Sequence, residues 1–215
     1  HFAVVSAMPA LSPRYNIAPS QRAPFIFAEH DGGERRVAMH VWGLVPSWAD
    51  DPSIGNRMVN ARAESVASKP AYRAAARRRR CLVPAGGFYE WLDKPGGSKQ
   101  PYLFVPRAER PIAFAGLYEH WEGADGRIID SYTIITTDAN RTVATVHDRM
   151  PVVLDPGDYA RWLDPRTEAT EAVAELLKPA PDDLLTGYAV SRRVNRPSED
   201  DAALTEPVET QGSLF

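Results

Sequence analysis

Short apolar or alternating runs, each bounded by turn-forming residues, constrain the fold of this chain more than any other feature. The runs are PFIFAE (24–29), RRVAMHVW (35–42), CLVP (81–84), GFYEWL (87–92), PYLFV (101–105), PIAFAGLY (111–118), IIDSYTIIT (128–136) and PVVL (151–154). Runs of this length and composition are typical of β-strands. His-Asp-Gly-Gly at 30–33 predicts a hairpin between the first two, because glycine adopts positive φ freely.

Helical patterns are fewer. Ser68 followed by Pro70 predicts a capped helix through 71–80, Asp155-Pro156 predicts a helix over 158–163, and residues 171–178 have a helical period that ends in lysine. Strands without regular βα alternation predict an α+β fold, a β-rich single domain with a mainly antiparallel, barrel-like sheet and a few flanking helices. We place this domain at 1–196 and expect an acidic, disordered tail at 197–215.

The composition limits the class of protein. No apolar run approaches the roughly 20 residues of a membrane helix, and no signal-peptide pattern is present. The single cysteine, Cys81, excludes an internal disulfide framework and fits a reducing compartment. The sequence therefore predicts a cytoplasmic protein that does not bind a membrane.

The net charge of −3 hides an uneven distribution. Residues 1–100 hold 14 Lys and Arg against 8 Asp and Glu, whereas residues 101–215 hold 11 against 20. Between 57 and 80 there are eight basic residues and one acid, Glu64. Such a block is typical of a surface that binds a polyanion, although a solvated helical face would have the same composition.

Several common site motifs are absent. The chain has no G-x-G-x-x-G, Walker or G-x-S-x-G motif, no cysteine pair and no H-E-x-x-H. We therefore expect neither a cofactor nor a metal.

Other stretches carry polar groups that packing alone does not require: RYNIAPS (14–20), WGLVPSWAD (42–50), VNARAES (59–65) and VHDRMP (146–151). Positions 60, 62 and 64 place an amide, a guanidinium and a carboxylate on one face of an extended segment. Glu90 lies between Tyr89 and Trp91, and near Phe88, which is typical of a proton donor with a raised pKa. An edge-strand acid would leave the same pattern.

Together with CLVPAGGFYEW (81–91), QPY (100–102) and VHDRMPVVL (146–154), these stretches resemble the SOS-response-associated peptidase (SRAP) family of abasic-site processing proteins. The resemblance runs from about Arg14 to Asn195. It implies the SRAP fold, binding of single-stranded DNA that contains abasic sites, and covalent capture of the ring-opened sugar aldehyde. In the family, an N-terminal cysteine is exposed by removal of the initiator methionine and forms a thiazolidine ring with this aldehyde. Its amine and thiol both have pKa values near neutrality, and ring closure gains from proximity.

The resemblance also implies residue roles. Asn60 would orient the amine or sugar, Glu90 would act as general acid, and His147 would assist proton transfer. Arg62 and Arg149 would each hold a phosphate, and Trp48 would form a stacking wedge near the lesion. The neighbouring position, often aromatic in the family, is Ala49 here, which would weaken that platform. Further DNA contacts are expected from Asn16, Pro19, Arg73 and Arg77.

The N-terminus departs from the family pattern. Members begin Met-Cys-Gly-Arg-Phe, whereas this chain begins His1-Phe2-Ala3. If Phe2 matches the family phenylalanine, the cysteine would lie just before His1. Either the given sequence lacks residues of the native protein, or this member binds DNA without crosslinking. Cys81 cannot replace the nucleophile, because it has no free α-amine.

Two alternatives follow from these observations. A peptidase acting on a short N-terminal leader would suit the family name, and a non-catalytic single-strand binding module would suit a chain without the cysteine. Separately, QGSLF (211–215) resembles the peptide by which DNA-repair proteins dock on the bacterial sliding clamp, with Gln211, Leu214 and Phe215 as contacts. The alternative is a frayed tail. We expect the protein to act in the cytoplasm, and at the nucleoid when DNA is damaged.

Overall fold

The computed structural model describes residues 1–5, 9–29 and 34–209, and within these ranges ten strands form two sheets. The strands are β1 Arg22–Ala28, β2 Arg35–Trp42, β3 Asn60–Arg62, β4 Arg80–Ala85, β5 Phe88–Asp93, β6 Lys99–Pro106, β7 Ile112–Glu122, β8 Ile128–Asp138, β9 Arg149–Pro151 and β10 Leu185–Ala189. The helices are α1 Arg73–Arg78, α2 Tyr159–Leu163 and α3 Glu171–Ala174, with short 3-10 helices at Pro52–Arg57, Val143–Thr145, Pro156–Asp158, Arg192–Asn195 and Ala202–Thr205.

The larger sheet closes on itself. Its order is β2-β1-β4-β7-β8-β3, β9 also pairs with β8, and a pairing of β2 with β8 completes a ring of strands. Only the β2–β8 and β3–β8 pairings are parallel among the strands just described. The smaller sheet, β10-β6-β5, is antiparallel. The predicted β-rich α+β class is confirmed.

Successive side chains of the central strands serve two different cores. In β1, Phe25 packs in one cluster and Ile26 in the other, and in β4 the same division separates Cys81 and Val83 from Leu82. Side chains alternate across a strand, so a strand covered on both faces is apolar at every position. One cluster lies under the helices around Trp162, which is buried.

The helices are shorter than predicted. α1 begins at Arg73, with Tyr72 at its N-cap position, and Ser68 instead donates its hydroxyl to the Ser65 carbonyl. The helix ends at Arg78 because β4 begins at Arg80 and needs an extended backbone. α3 likewise spans four residues and not the predicted eight. The signal at Asp155 is confirmed, because its carboxylate accepts from the Gly157 N–H ahead of α2.

Residues 197–209 differ from the disordered tail that the sequence predicts. Leu204 is fully buried, the Tyr188 hydroxyl donates to the Thr205 carbonyl, and Pro207 forms a bridge with Val190. The segment is acidic, but two of its acids, Glu199 and Asp201, pair with Arg193. The acidic, polar composition of the segment is typical of disorder, and it does not indicate which of its residues form these contacts.

None of the helices in the described ranges has the length and apolar character needed to span a membrane.

Candidate active site and nucleic-acid interface

Glu90 lies on β5, the edge of the smaller sheet, opposite Tyr102 of β6. The aromatic residues around it do not share its face as the sequence predicted. Tyr89 and Trp91 pack on the other side against the cluster around Leu103, and Phe88 alone lies on the Glu90 side, against Phe104. The strand period explains the difference, because neighbouring residues point to opposite faces.

Burial raises the pKa of the Glu90 carboxyl to about 6, the facing His147 opposes this, and Asp148 adds to it. The Glu90 side chain is 22% exposed, so the ionised form loses much of its hydration. A carboxyl with this pKa is partly protonated near neutral pH and can donate a proton to a substrate.

His147 faces Glu90 from the turn between the 3-10 helix Val143–Thr145 and β9. Its Nδ1 is 3.9 Å from Glu90 Oε2 and 3.4 Å from Asp148 Oδ1. The distance to Glu90 exceeds a hydrogen bond, yet a substrate atom about 3 Å from both groups would contact the two together. The imidazole Nδ1 also accepts the Arg149 backbone N–H at 3.0 Å.

Asn60 and Arg62 have exposed side chains on β3, while Ala61 between them is fully buried. β3 is held from two directions, because the Trp42 indole N–H donates to the Val59 carbonyl and Asn60 and Arg62 are in register with Ile134 and Thr136 of β8. The predicted common face of positions 60 and 62 agrees with this arrangement.

β8 joins this face to the histidine. Thr136 is in register with both Arg62 of β3 and Pro151 of β9, the strand that follows His147. β8 therefore connects β3, which carries Asn60 and Arg62, with β9, and His147 just before β9 faces Glu90 at 3.9 Å.

Arg149 is engaged differently from the phosphate contact expected of it. Its guanidinium donates to Glu64, Asp138 and the Thr136 carbonyl, and its side chain is 18% exposed. The hydrogen bond from Arg149 is the main cause of the lowered pKa of Glu64.

Trp48 is 59% exposed in a turn closed by the Ala49 N–H donating to the Pro46 carbonyl. Ala49 itself is buried and packs against Trp121, whose indole N–H donates to the Ala49 carbonyl. The side chain of Ala49 thus points into the protein. Alanine at this position therefore does not reduce the exposed surface that Trp48 offers for stacking.

The four arginines at 77–80 have four different surroundings. Arg77 is exposed, Arg78 pairs with Glu168, and Arg79 pairs at 2.7 Å with the buried Glu119. Arg80 is buried, and its guanidinium donates to the carbonyls of Ala76, Arg77, Trp162 and Asp164. The last of the run therefore satisfies the carbonyls at the C-terminus of α1.

Arg73 and Arg77 are both exposed and lie four residues apart, on one face of α1. Among the described residues neither has a carboxylate within ion-pair distance. Of the predicted basic block, these two, Arg57 and Arg62 are exposed arginines without an ion pair among the described residues.

The two predicted DNA contacts in RYNIAPS (14–20) have different environments. Asn16 is buried, and its side-chain amide donates to the carbonyls of Val194, Arg196 and Glu199. Its amide has no N–H left for DNA, so the predicted contact is replaced by a structural one. Pro19 is exposed in a turn whose next residue, Ser20, has φ 70°.

Asp200 holds the start of this loop. Its carboxylate accepts from the backbone N–H groups of Tyr15 and Asn16 and from the Arg14 side chain. The Tyr89 hydroxyl, next to Glu90, donates to the Tyr15 carbonyl at 2.8 Å. The C-terminal segment, the loop and the strand of Glu90 are thus connected.

Cys81 is fully buried, and burial raises the pKa of its thiol well above the ordinary value. It is not an available nucleophile. No group of three His, Cys, Asp or Glu side chains suited to a metal is found in the described part of the chain. Gln211, Leu214 and Phe215 lie outside the described residues.

Sequence reasoning missed the parts that Asp138 and Asp200 have in this region. Both acids act on residues of another segment, 11 positions away for Asp138 and Arg149 and 185 for Asp200 and Tyr15. An acid at the end of a strand or in an acidic tail carries no local signal of such a partner.

Comparison with known proteins agrees with this arrangement. The sequence model of the family "SOS response associated peptidase (SRAP)" matches residues 1–197. The abasic site processing protein YoaM of Bacillus subtilis is 40% identical over 90% of this chain and 85% of its own length. YoqW of Bacillus phage SPbeta is 39% identical over 90% of this chain and 86% of its own. The abasic site processing protein HMCES of Gallus gallus is 34% identical over 92% of this chain and 67% of its own length.

Solved structures have the same fold. A protein from Bacteroides thetaiotaomicron superposes with a TM-score of 0.77 at 28% identity, covering 88% of this chain and 82% of its own. A protein from Bordetella bronchiseptica superposes with a TM-score of 0.74 at 28% identity, covering 88% of this chain and 92% of its own. With the matched family model spanning nearly all of the described residues, this chain belongs to the SRAP family.

Proposed function

We propose that this protein recognises abasic sites in single-stranded DNA and joins the lesion covalently to an N-terminal cysteine. The observation that carries the proposal is the pairing of Glu90, with its pKa raised to about 6, and His147 at 3.9 Å. The names of the related proteins, which are called abasic site processing proteins, support the same substrate.

The chemistry needs a proton donor at two points. The abasic sugar opens to an aldehyde, and the cysteine α-amine adds to its carbonyl carbon to give a carbinolamine. Glu90 protonates the carbinolamine hydroxyl, which leaves as one water, and the nitrogen keeps its hydrogen as the protonated imine. The thiol gives up its proton, which His147 passes to the Glu90 carboxylate, and the thiolate adds to the carbon of the protonated imine, so that the neutral thiazolidine ring closes. His147 likewise carries the proton from the anomeric hydroxyl to the ring oxygen when the sugar opens, and Asn60 orients the amine or the sugar.

The cysteine is the part of this proposal that rests on the family pattern. Cys81 is excluded from the role by its full burial and its raised pKa.

Exposed groups near the site supply the contacts with DNA. Arg62, Arg73 and Arg77 would bind phosphates, Pro19 would contact the strand, and Trp48 would stack on a base beside the lesion, which is worth about 1–3 kcal/mol per base. Phosphate contacts carry little sequence information, so binding would be salt-sensitive and nearly independent of sequence. The protein would then act in the cytoplasm, at damaged DNA of the nucleoid.

The experiment uses the full-length gene product and a single-stranded oligonucleotide with one abasic site, separated on a denaturing gel. A shifted band that forms with the parent and is reduced at least about tenfold in rate by Glu90→Gln is the expected result. The matched control is the same oligonucleotide with a tetrahydrofuran analogue, which cannot open to an aldehyde and should give no band.

Other outcomes favour the alternatives. Salt-sensitive binding without a band, unaffected by Glu90→Gln, would make the protein a non-catalytic single-strand binding module. Cleavage of a leader peptide that proceeds equally with and without DNA would indicate a peptidase, and the proposal would then fail.

We further propose that the QGSLF end of the chain docks on a sliding clamp. Leu214 and Phe215 would fill an apolar pocket while Gln211 hydrogen-bonds beside it. A labelled peptide of residues 205–215 should bind purified clamp, and the Leu214→Ala, Phe215→Ala double variant should not. Equal binding of the two peptides would refute this docking.

A further inference from the structure

The Arg149 guanidinium has no accessible N–H left for an outside ligand. Nη1 donates to Glu64 Oε1 and Asp138 Oδ1, both at 2.7 Å, and Nη2 donates to Glu64 Oε2 at 3.1 Å and the Thr136 carbonyl at 2.8 Å. A guanidinium has five N–H groups. The fifth, on Nε, is buried and has no hydrogen-bond partner among the described residues.

These contacts tie together three elements of the site. Glu64 follows β3, which presents Asn60 and Arg62, while Thr136 and Asp138 belong to β8. Arg149 is the first residue of β9, and its Cα is in register with Asp138. A bidentate pair with one carboxylate and a second carboxylate beside it fixes a planar guanidinium strongly.

The backbone of the same residue holds His147. The Arg149 N–H donates to Nδ1 of the imidazole at 3.0 Å, and the Arg149 carbonyl oxygen is 3.1 Å from the same atom. When the ring is neutral with its proton on Nε2, Nδ1 accepts the Arg149 N–H, and when Nδ1 carries a proton it faces the Arg149 carbonyl oxygen as a donor. The Arg149 backbone therefore offers Nδ1 a partner in either case.

We infer that Arg149 is a positioning residue for His147: its side chain, fixed between Glu64 and Asp138, holds the backbone groups that orient the imidazole, and it does not bind phosphate. This inference rests on the proposed function, in which His147 transfers protons. It assigns phosphate binding at this face to Arg62, whose guanidinium is exposed on the adjoining strand.

Replacing the two acids by neutral carboxamides distinguishes positioning of His147 from phosphate binding by Arg149. Glu64→Gln and Asp138→Asn loosen the clamp and leave the arginine in place. If Arg149 positions His147, both variants lower the first-order crosslinking rate at saturating DNA, by about tenfold for Glu64→Gln, and leave affinity for an undamaged single strand within about twofold. If Arg149 binds phosphate, freeing it from the acids would raise that affinity and the salt dependence, which would overturn the inference.

Substitution of the arginine itself gives the converse result. Arg149→Gln should slow crosslinking by at least about tenfold, as loss of acid–base assistance does, with the salt dependence of affinity unchanged. Arg149→Lys should not restore the rate, because an ammonium cannot bridge both acids in the same plane. The comparison variant Arg62→Gln should lower affinity and the salt slope by about 0.7. A loss of affinity in Arg149→Gln that Arg149→Lys restores would refute positioning.

A measurement on the protein alone keeps the inference separate from the proposed function. Imidazole ¹⁵N NMR of the parent should give His147 as the Nε2–H tautomer, and Glu64→Gln or Arg149→Gln should mix the two tautomers. Unchanged ¹⁵N shifts in folded variants would reject the positioning role even if no crosslink forms. Absence of crosslinking by the parent, with the tautomer shift present, would reject the proposed function alone.

Discussion

Glu90 has its raised pKa because β5 turns it inward at the edge of a sheet, where its ionised form loses hydration. Its ordinary pKa of 4.5 is raised to about 6 in the folded protein. The folded state therefore binds this proton more tightly than the unfolded chain does. The stability that this group contributes is full below the ordinary pKa and is lost as the pH rises through the folded value.

Glu90→Gln is accordingly expected to stabilise the protein while it slows the proposed crosslinking reaction. Above pH 6 the variant should be more stable than the parent by about 1–2 kcal/mol, and near pH 4 the two should be equal. Urea unfolding at several pH values between these limits measures this difference. Glu122→Gln, at an exposed strand end, is the matched control and should change stability little at any pH. A Glu90→Gln variant less stable than the parent at neutral pH would contradict the expected sign.

Residue-scale reasoning from the sequence succeeded where strand geometry decides and failed where distant residues do. Alternation placed Asn60 and Arg62 on one exposed face. The same alternation, applied to 88–91, separates Glu90 from Tyr89 and Trp91, although the three are adjacent in the sequence and were expected to share one environment. The environments of Asn16 and Arg149 depend on partners that no local pattern marks.

At the scale of elements, the hairpin of β1 and β2 was predictable and β10 was not. The hairpin has alternating runs on both sides of a glycine turn, although the turn itself, 30–33, lies outside the described residues. β10 contains Gly187, which is typical of a break in a strand. The structure needs glycine there because a Cβ would collide with the Phe104 ring.

The turn at Ala18–Gln21 is an element with a residue in an unfavourable conformation. Ser20 has φ 70°, and the Gln21 N–H donates to the Ala18 carbonyl, with Pro19 and Ser20 at the centre. This is the position of a type II turn that favours glycine. A left-handed conformation costs a non-glycine residue about 1–2 kcal/mol, partly offset by the extra entropy that glycine loses on folding.

Ser20→Gly should therefore stabilise the protein by about 0.5–1 kcal/mol, and Ser20→Val should destabilise it. The exposed hydrogen bond from the Ser20 hydroxyl to Asn56 contributes little to this balance. Denaturant midpoints of the three proteins give the order. A glycine variant less stable than the parent would mean that the contact with Asn56 outweighs the backbone strain.

The contact between the C-terminal segment and the loop at 14–20 makes a second prediction at this scale. Burial raises the pKa of Asp200, but the backbone N–H of Tyr15, the Arg14 side chain and the Asn16 N–H outweigh it, and the pKa lies below its ordinary value. A depressed carboxyl pKa contributes stability that is present above the ordinary value of 3.8 and is lost as the pH falls through the folded value.

Asp200→Asn should cost about 1–3 kcal/mol at neutral pH, because two backbone N–H groups lose a charged acceptor. The difference from the parent should shrink as the pH falls below the ordinary value for an aspartate. Thermal unfolding measures the loss, and limited proteolysis should cut the variant first within 197–209. Glu206→Gln, an exposed acid of the same segment, is the control. Identical stability of Asp200→Asn and parent would show that this contact is not stabilising.

For the whole molecule, the uneven distribution of charge is a prediction about binding and not about fold. The basic first hundred residues contribute Arg62, Arg73 and Arg77, whose guanidinium groups are exposed, while Arg80 of the same basic block is buried in the structure. The number of basic residues in the sequence therefore overstates the number available to DNA.

The double variant Arg73→Gln, Arg77→Gln should weaken binding of any single strand. It should also lower the slope of log K against log salt by up to about 1.4, since each phosphate that is no longer neutralised removes about 0.7 from the slope. The matched control replaces Arg192, an exposed arginine of the acidic half, by Gln, and should leave the slope unchanged. Fluorescence anisotropy over a salt series of about 50–300 mM gives both slopes. Equal slopes for all three proteins would remove α1 from the interface.

The bonds from Asp200 to Tyr15 and Asn16 also have a consequence for synthesis on the ribosome. The loop at 14–20 emerges early, yet Asp200 is translated 185 residues after Tyr15. Because the Tyr15 carbonyl in turn accepts from the Tyr89 hydroxyl beside Glu90, the strand that carries Glu90 contacts a loop whose other contacts form late. A nascent chain that ends before Asp200 thus lacks the acceptor for the Tyr15 and Asn16 N–H groups, and the loop is held on both sides only after Asp200 has emerged from the ribosome.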